Sequence, residues 1–101
     1  MTDDSTEQSS DPDSLRAEID EIDQQLMLLL GLRFRCTDQL SEQLVALGAQ
    51  DEPGEGDSRI EFMERLAMDT GVSPALAVGL MKAVAQAVKE NHHRIKASRS
   101  H

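Results

Sequence analysis

A chain of 101 residues is long enough for one domain and too short for two domains with separate cores. It carries 19 acidic against 10 basic residues, and this net charge of −9 argues against nucleic acid and anionic membranes as partners. A single cysteine excludes an intrachain disulfide and a cysteine-rich zinc site and fits a reducing compartment, so we expect a cytoplasmic protein.

The acidic charge is concentrated in two segments. Five acids lie within the first thirteen residues and four more between positions 51 and 57, so the remaining ten acids balance the ten bases. We expect residues 1–12 to be a disordered acidic tail, because they have too few apolar residues to offset the entropy of ordering them. The longest apolar run, Leu26 to Leu30, is far shorter than the ~20 residues of a membrane span, and the acidic, polar start of the sequence lacks the pattern of a secretory signal, so we expect neither.

The first predicted element is a long amphipathic helix. Asp11 supplies an N-cap and Pro12 a proline in the first turn, and the pattern continues to Gly48. Apolar residues recur at spacings of three and four, as on one helix face, at Leu15, Ile19, Ile22, Leu26, Leu29 and Leu30, and the apolar series continues through Cys36, Leu40, Leu44 and Leu47. A helix of about 35 residues is roughly 50 Å long, and the rest of the chain is too short to cover it. We therefore predict a homodimer.

A glycine-rich acidic loop at residues 48–57 separates this helix from a short second one. Ser58 and Glu61 have the spacing of a capping box, in which each side chain satisfies the other residue's backbone amide. They predict a helix that starts at Ser58, and Gly71 predicts its end. The residues predicted to face inward are Ile60, Met63, Leu66 and Ala67.

A third helix is predicted to open at Ser73 and Pro74, which again combine a cap with a first-turn proline. Its predicted inward residues are Leu76, Leu80, Met81, Val84, Val88 and Ile95. No segment alternates polar and apolar residues with a period of two, so we predict an all-α fold with a long, a short and a medium helix. The domain covers residues 13–97, and a flexible C-terminus follows at 98–101.

The first predicted helix also carries a family resemblance. The run LRAEIDEIDQQLMLLLGLR, from Leu15 to Arg33, combines a Leu-Arg pair, Ile-Asp pairs, a leucine cluster and a second arginine. This pattern resembles the opening helix of the all-helical (AroQ-type) chorismate mutases, and Arg59 extends the likeness over roughly residues 14–96. The resemblance implies an intertwined helical homodimer that rearranges chorismate to prephenate, an isomerase without metal or cofactor.

The resemblance assigns roles to four residues. Arg16, Arg33 and Arg59 match the family's three arginines, which bind the carboxylates of a small dicarboxylate bidentately. The resemblance implies that Arg16 acts in the neighbouring subunit's site. The helix geometry permits this, because Arg16 lies roughly 25 Å along the helix from Arg33 and the two cannot meet on one small ligand within a chain. His92 stands where the family has a glutamine and is the candidate catalytic donor to the breaking ether oxygen.

Three further family positions differ in this chain. Leu44 stands where the family has a lysine that donates to the ether oxygen, and losing such a donor costs on the order of 3 kcal/mol. Ile60 and Val88 stand where the family has a glutamate and a serine. Three functions therefore stay open: a chorismate mutase with His92 as donor, a relative that acts on isochorismate or amino-deoxychorismate, and a catalytically silent helical dimer with a binding or regulatory role.

The arginines also have structural explanations. Arg33 lies on a mostly apolar face and needs a carboxylate, which a ligand or an acid such as Asp38 or Glu61 supplies. Arg16 has Asp20 one turn further along the helix as a surface partner.

His92 has a structural explanation as well. With His93, Arg94 and Lys96 it fits a solvated basic helix end, where cations complement the helix dipole. A metal site at His92 and His93 is not expected, because adjacent helical residues point about 100° apart and no third ligand is evident.

Overall fold

The computed structural model describes residues 11–49, 53 and 57–99, and these residues form three α-helices and no strand. Helix α1 spans Pro12–Ala46, α2 spans Asp57–Thr70 and α3 spans Pro74–Arg99. The predicted all-α class and the order long, short, medium are therefore confirmed. In the part of the chain that is described, no helix is both long and apolar enough to cross a membrane.

Both ends of α1 follow from local sequence. Asp11 Oδ2 accepts hydrogen bonds from the backbone amide and the hydroxyl of Ser14, each at 3.2 Å, and this confirms the predicted N-cap. At the other end Gly48 has a φ of 71°. The amides of Gly48 and Ala49 donate to carbonyls in the last helical turn at 3.0 and 2.9 Å. This pairing is a Schellman motif, which requires the left-handed backbone that glycine adopts most easily.

The turn between α2 and α3 combines the same two features, a glycine with a positive φ and a side-chain N-cap. Gly71 has a φ of 79°, and the amide of Val72 donates to the carbonyl of Ala67 at 2.9 Å, which ends α2 as predicted. Ser73 Oγ accepts a hydrogen bond from the amide of Leu76 at 3.3 Å, which confirms the predicted cap of α3. The two helices that this turn joins pack against each other.

Three boundaries differ from the predictions. Helix α2 begins at Asp57, one residue before the predicted start at Ser58. The predicted capping box involves the side chain of Ser58, which lies outside the described residues. Helix α3 continues through Arg99, past the predicted domain end at 97, because no glycine or proline stops it. Pro12, predicted as the last residue of the acidic tail, is the first residue of α1. Residues 1–10, 50–52, 54–56 and 100–101 lie outside the described residues.

The chain divides into two compact units, residues 1–33 and residues 34–101, called here the first and the second unit. The buried core of the second unit comes mainly from α3, and its members are Ala67, Ala77, Met81, Val84, Val88 and His92. Ser41 of α1 is also buried, at 1% exposed. Two polar contacts join the last part of α1 to α3: Asn91 Nδ2 donates to Asp38 Oδ1, and Arg99 Nη2 lies 3.6 Å from Glu42 Oε1.

The first unit leaves its apolar stripe exposed within the protomer. The stripe consists of Leu15, Ile19, Ile22, Leu26 and Leu29, whose exposed fractions run from 39% to 64%. Met27 and Leu28, beside the stripe, are each 62% exposed. Amphipathic helices of soluble proteins normally bury such a stripe against another element.

Several residues predicted to face inward are also exposed in the protomer: Cys36, Leu40, Leu47, Leu66, Leu76 and Leu80. On α3 the buried stripe passes through Ala77 and Met81, each about 100° around the helix from the leucine before it. The prediction was right for Met81, Val84 and Val88, but it placed Leu76 and Leu80 inward and missed Ala77 because it favoured the larger leucines. A small side chain such as that of Ala77 suits the close approach of two packed helices.

Candidate functional site

Arg16 lies in the first unit, near the start of α1, and its side chain is 74% exposed. Its Nη1 donates to Asp13 Oδ1 at 3.1 Å, so the surface partner is Asp13 and not the Asp20 that the sequence suggested. Both side chains of the pair are highly exposed, and such pairs contribute little to stability. Arg16 can therefore exchange this carboxylate for that of a ligand at small cost.

Arg33, the last residue of the first unit, is half-buried, in contrast to Arg16. Its neighbours along the apolar side of α1, Leu30 and Phe34, are half-buried as well. Leu44, where the resembled family has a lysine, is a half-buried residue of the second unit. An apolar group therefore occupies that position, and it cannot donate a hydrogen bond to a substrate.

His92 belongs to the buried stripe of α3 and is only 3% exposed. Its Nδ1 is buried and makes no hydrogen bond with any residue that the structure describes. Such an atom is unusual, because leaving a buried polar group unpaired costs about 1–3 kcal/mol. The solvated helix end predicted for His92 is therefore wrong, although it holds for the exposed residues His93, Arg94 and Lys96.

Asn91, the residue before His92, belongs to a chain of side-chain hydrogen bonds. Arg94 Nη2 donates to Asn91 Oδ1 at 3.2 Å, and Asn91 Nδ2 in turn donates to Asp38 Oδ1. The carboxylate of Asp38, which the sequence analysis considered as a partner for Arg33, thus accepts a hydrogen bond from the side-chain amide of Asn91 on α3. This contact was not predictable from local sequence patterns, because 53 positions separate its two residues.

Arg59 lies in the first turn of α2 and is exposed. Its guanidinium carbon lies 5.3 Å from the centroid of the Phe62 ring, within the range of a cation–π contact. Arg59 also borders a small cavity between α2 and α3, with a volume of about 30 Å³. The residues around this cavity are Arg59, Ile60, Met81, Lys82 and Ala85. Sequence reasoning missed Lys82, because nothing in the pattern of α3 distinguishes it from Lys89 and Lys96.

The predicted site residues fall into both units. Arg59 and His92 belong to the second unit, whereas Arg16 and Arg33 belong to the first. No cluster of three or more histidine, cysteine, aspartate or glutamate side chains within the described ranges is arranged to hold a metal ion. In the second unit Arg59 borders the small, mainly apolar cavity, whereas His92 is buried in the stripe of α3 and does not line that cavity.

Comparison with protein-family models, with curated proteins and with solved structures finds no match to this chain. The likeness to the chorismate mutases therefore depends on the residues of this chain alone and stays a prediction.

Proposed function

We propose that this chain is a chorismate mutase-like isomerase with an altered active site, which acts as a homodimer on chorismate. The observation that carries the proposal is the pattern of α1. The Leu-Arg pair, the Ile-Asp pairs, the leucine cluster and Arg33 stand at the family's offsets on one unbroken helix of 35 residues. The order of long, short and medium helices supports the same assignment.

The rearrangement of chorismate needs no covalent bond between the protein and its substrate. A Claisen rearrangement needs its substrate held in a compact conformation and needs stabilisation of the negative charge that develops on the breaking ether oxygen. Arg16, Arg33 and Arg59 bind the two carboxylates on this proposal, because a guanidinium matches a carboxylate with two parallel hydrogen bonds. The high exposure of Arg16 and Arg59 is compatible with a role in ligand binding.

His92 is the proposed donor to the ether oxygen. It takes the place of the family's glutamine, and both a neutral and a protonated imidazole carry an N–H that donates. Its burial favours this role, because hydrogen bonds to developing charge are stronger where water is excluded. Its Nδ1, which makes no hydrogen bond among the described residues, also favours the role, since a substrate oxygen would satisfy an otherwise costly buried atom.

The proposed homodimer accounts for the exposed stripe of the first unit. Full burial of a leucine or isoleucine side chain contributes about 1.5–3 kcal/mol, so five such residues provide ample driving force for association. Arg16 lies on the same segment as the stripe. A second copy that covers the stripe therefore brings the partner's Arg16 along with it, as the family resemblance implies.

A catalytically silent helical dimer with a binding role is the second candidate. It is favoured by Leu44, which removes the family's principal hydrogen-bond donor, and by Val88, which is 2% exposed and cannot replace the family's serine. The dimer and the arginines are the same in both proposals. They differ only in whether the rearrangement is accelerated.

Chorismate turnover by purified protein, followed by absorbance and by NMR detection of prephenate, tests the proposal. We expect slow turnover by the natural chain and a gain of at least about tenfold from Leu44→Lys, which restores the missing donor. Gln43→Lys is the matched control, because it adds the same charge at the neighbouring, exposed position. We expect no gain from it.

His92→Gln separates the two candidate functions. It installs the family's own residue and keeps a hydrogen-bond donor, whereas His92→Ala removes the donor, and circular dichroism checks that both variants fold. Turnover retained in His92→Gln and lost in folded His92→Ala supports the isomerase. If Leu44→Lys turns over chorismate and the natural chain does not, the silent dimer is correct. If neither protein binds or converts chorismate, both proposals fail.

A further inference from the structure

We propose that the exposed stripe of the first unit docks on an apolar face of the second unit in a partner copy. This face, called here the hairpin face, is formed by Phe62 and Leu66 of α2 and by Leu76 and Leu80 of α3. The inference rests on the homodimer of the proposed function, and it adds the surface that receives the stripe.

The residues of the hairpin face are large, apolar and exposed in the protomer. Their exposed fractions run from 41% to 65%, close to the range found for the stripe of the first unit. Soluble proteins rarely expose large contiguous apolar surfaces unless those surfaces bind a partner. We therefore expect the hairpin face, like the stripe, to be covered by another apolar surface.

The residues of the hairpin face lie on one side of the pair formed by α2 and α3. Three of its leucines stand one position before a buried residue: Leu66 before Ala67, Leu76 before Ala77 and Leu80 before Met81. Each leucine is therefore turned about 100° around its helix from the covered surface. A short turn joins α2 and α3 into an antiparallel pair, in which the same offset on both helices leads to the same side. Phe62 extends this side by one turn of α2.

Charge distinguishes the hairpin face from the alternative partner, which is the stripe of a second copy. Residues 11–33 carry six acids and two arginines, so two such segments side by side repel each other. Residues 57–99 have the opposite sign, with seven bases and five acids, and five of these bases lie on α3. Arg59, whose guanidinium lies over the ring of Phe62, places one of the cations at the hairpin face itself. Opposite charges on two apolar surfaces favour their association with each other.

The docking is reciprocal in a dimer. Each copy carries both surfaces, so two copies related by a twofold axis form two identical contacts and the assembly closes at two. Arg16 directly follows Leu15 of the stripe. The same docking therefore carries Arg16 to the second unit of the partner subunit, as the proposed function requires.

Sedimentation equilibrium of full-chain variants tests the docking. Leu66→Asp introduces a carboxylate that the docked stripe would have to cover, and we expect dimerisation to weaken by about tenfold or more. Met68→Asp is the matched control, because Met68 is 66% exposed and lies about 160° around α2 from Leu66. We expect its dissociation constant to stay within about twofold of the natural value, since an exposed charge is screened.

A mixture of two variants tests whether the two surfaces meet each other. Ile22→Asp damages the stripe and Leu66→Asp damages the hairpin face, so one copy of each forms a pair in which one of the two contacts is natural. We expect each variant alone to have the mass of a single chain and the equimolar mixture to regain dimer, which also shows that both variants fold. A mixture that does not dimerise overturns the docking, as does a natural dissociation constant in Leu66→Asp.

The salt dependence of the natural dimer separates this inference from the proposed function. Sodium chloride screens charges, so it weakens docking on the basic α3 and strengthens the pairing of two acidic stripes. A dimer that tightens with salt and does not respond to Leu66→Asp overturns the hairpin face, whereas the homodimer of the proposed function holds. If the mixture regains dimer but the natural chain neither binds nor converts chorismate, the docking holds and the isomerase proposal fails.

Discussion

Helices α1 and α3 both carry apolar side chains at helical spacing, yet α3 buries a stripe of them within the protomer, whereas the part of α1 in the first unit leaves its stripe exposed. Val84 and Val88 of α3 are 6% and 2% exposed, whereas Ile22 and Leu26 of α1 are 58% and 45% exposed. Periodicity shows which face of a helix is apolar. It does not show whether the same chain or another copy covers that face. The length of the helix, compared with the number of residues left to cover it, is the better guide.

A charge in the buried stripe of α3 should have the largest effect on stability. Val88→Asp places an unpaired carboxylate where the side chain is 2% exposed, and we expect a loss of more than about 3 kcal/mol in the free energy of unfolding, measured in urea by circular dichroism. The adjacent, exposed Ala87→Asp should cost less than about 1 kcal/mol. Similar losses in both variants would contradict the burial of this stripe.

The corresponding charge in the exposed stripe of α1 should change the assembly. Ile22→Asp costs little in a lone protomer, where Ile22 is 58% exposed, but it disrupts an interface that covers the stripe. We expect the mass in sedimentation to halve and helix content to fall, because an isolated helix of this length is marginal in water. Gln24→Asp, about 180° away from the stripe, should leave the mass unchanged. Ile22→Asp with the natural mass would refute the covered stripe.

Two glycines should respond to alanine with opposite signs. Gly31 lies inside α1, where an added Cβ meets no atom within 4 Å, so Gly31→Ala should stabilise the chain by up to about 1 kcal/mol. Gly71 has as much space but a φ of 79°, so Gly71→Ala should cost about 1 kcal/mol or more. Thermal and urea unfolding of both variants measures the difference. A stabilising Gly71→Ala would show that the left-handed turn is not required.

The N-caps of α1 and α3 should contribute comparable amounts. Asp11→Ala and Ser73→Ala each remove a side chain that accepts a hydrogen bond from a first-turn amide, at an expected cost of about 1 kcal/mol. Asp11→Ser and Ser73→Asp retain a capping oxygen and serve as controls. Hydrogen exchange of the first-turn amides locates the effect, and unchanged exchange in the alanine variants would argue against these caps.

The ion pair between Arg99 and Glu42 should have the smallest effect. Its atoms are 3.6 Å apart and its side chains are 48% and 57% exposed, so Arg99→Ala should change stability by less than about 0.5 kcal/mol. High salt should reduce even this difference. An effect above about 1 kcal/mol that salt does not diminish would show that Arg99 contributes through packing instead of charge.

Local chemistry explains why four of the six helix ends were predictable from the sequence. Asp11, Gly48, Gly71 and Ser73 each act on backbone groups within one turn, so their effects can be read without knowledge of the fold. The exposed stripe of α1 was also anticipated in part, since a helix of about 35 residues exceeds what the rest of this chain can cover.

The tertiary details were not predictable in the same way. The burial of Ser41 and the contact between Asp38 and Asn91 depend on how the helices pack. The spacing of residues along the sequence predicts neither feature. The same holds for the site. Its arginines were found through a family pattern. The burial of His92, and the cavity that Arg59 and Lys82 both line, follow from the packing of the helices and could not be predicted from the sequence.

Sedimentation equilibrium of the natural 101-residue chain, without ligand, tests the central claim most directly. The proposed function needs a second copy, both to cover the stripe of α1 and to supply Arg16 to the neighbouring site. We predict twice the mass of a single chain at micromolar concentration. The mass of a single chain, with helix content retained, would contradict both the dimer and the shared site.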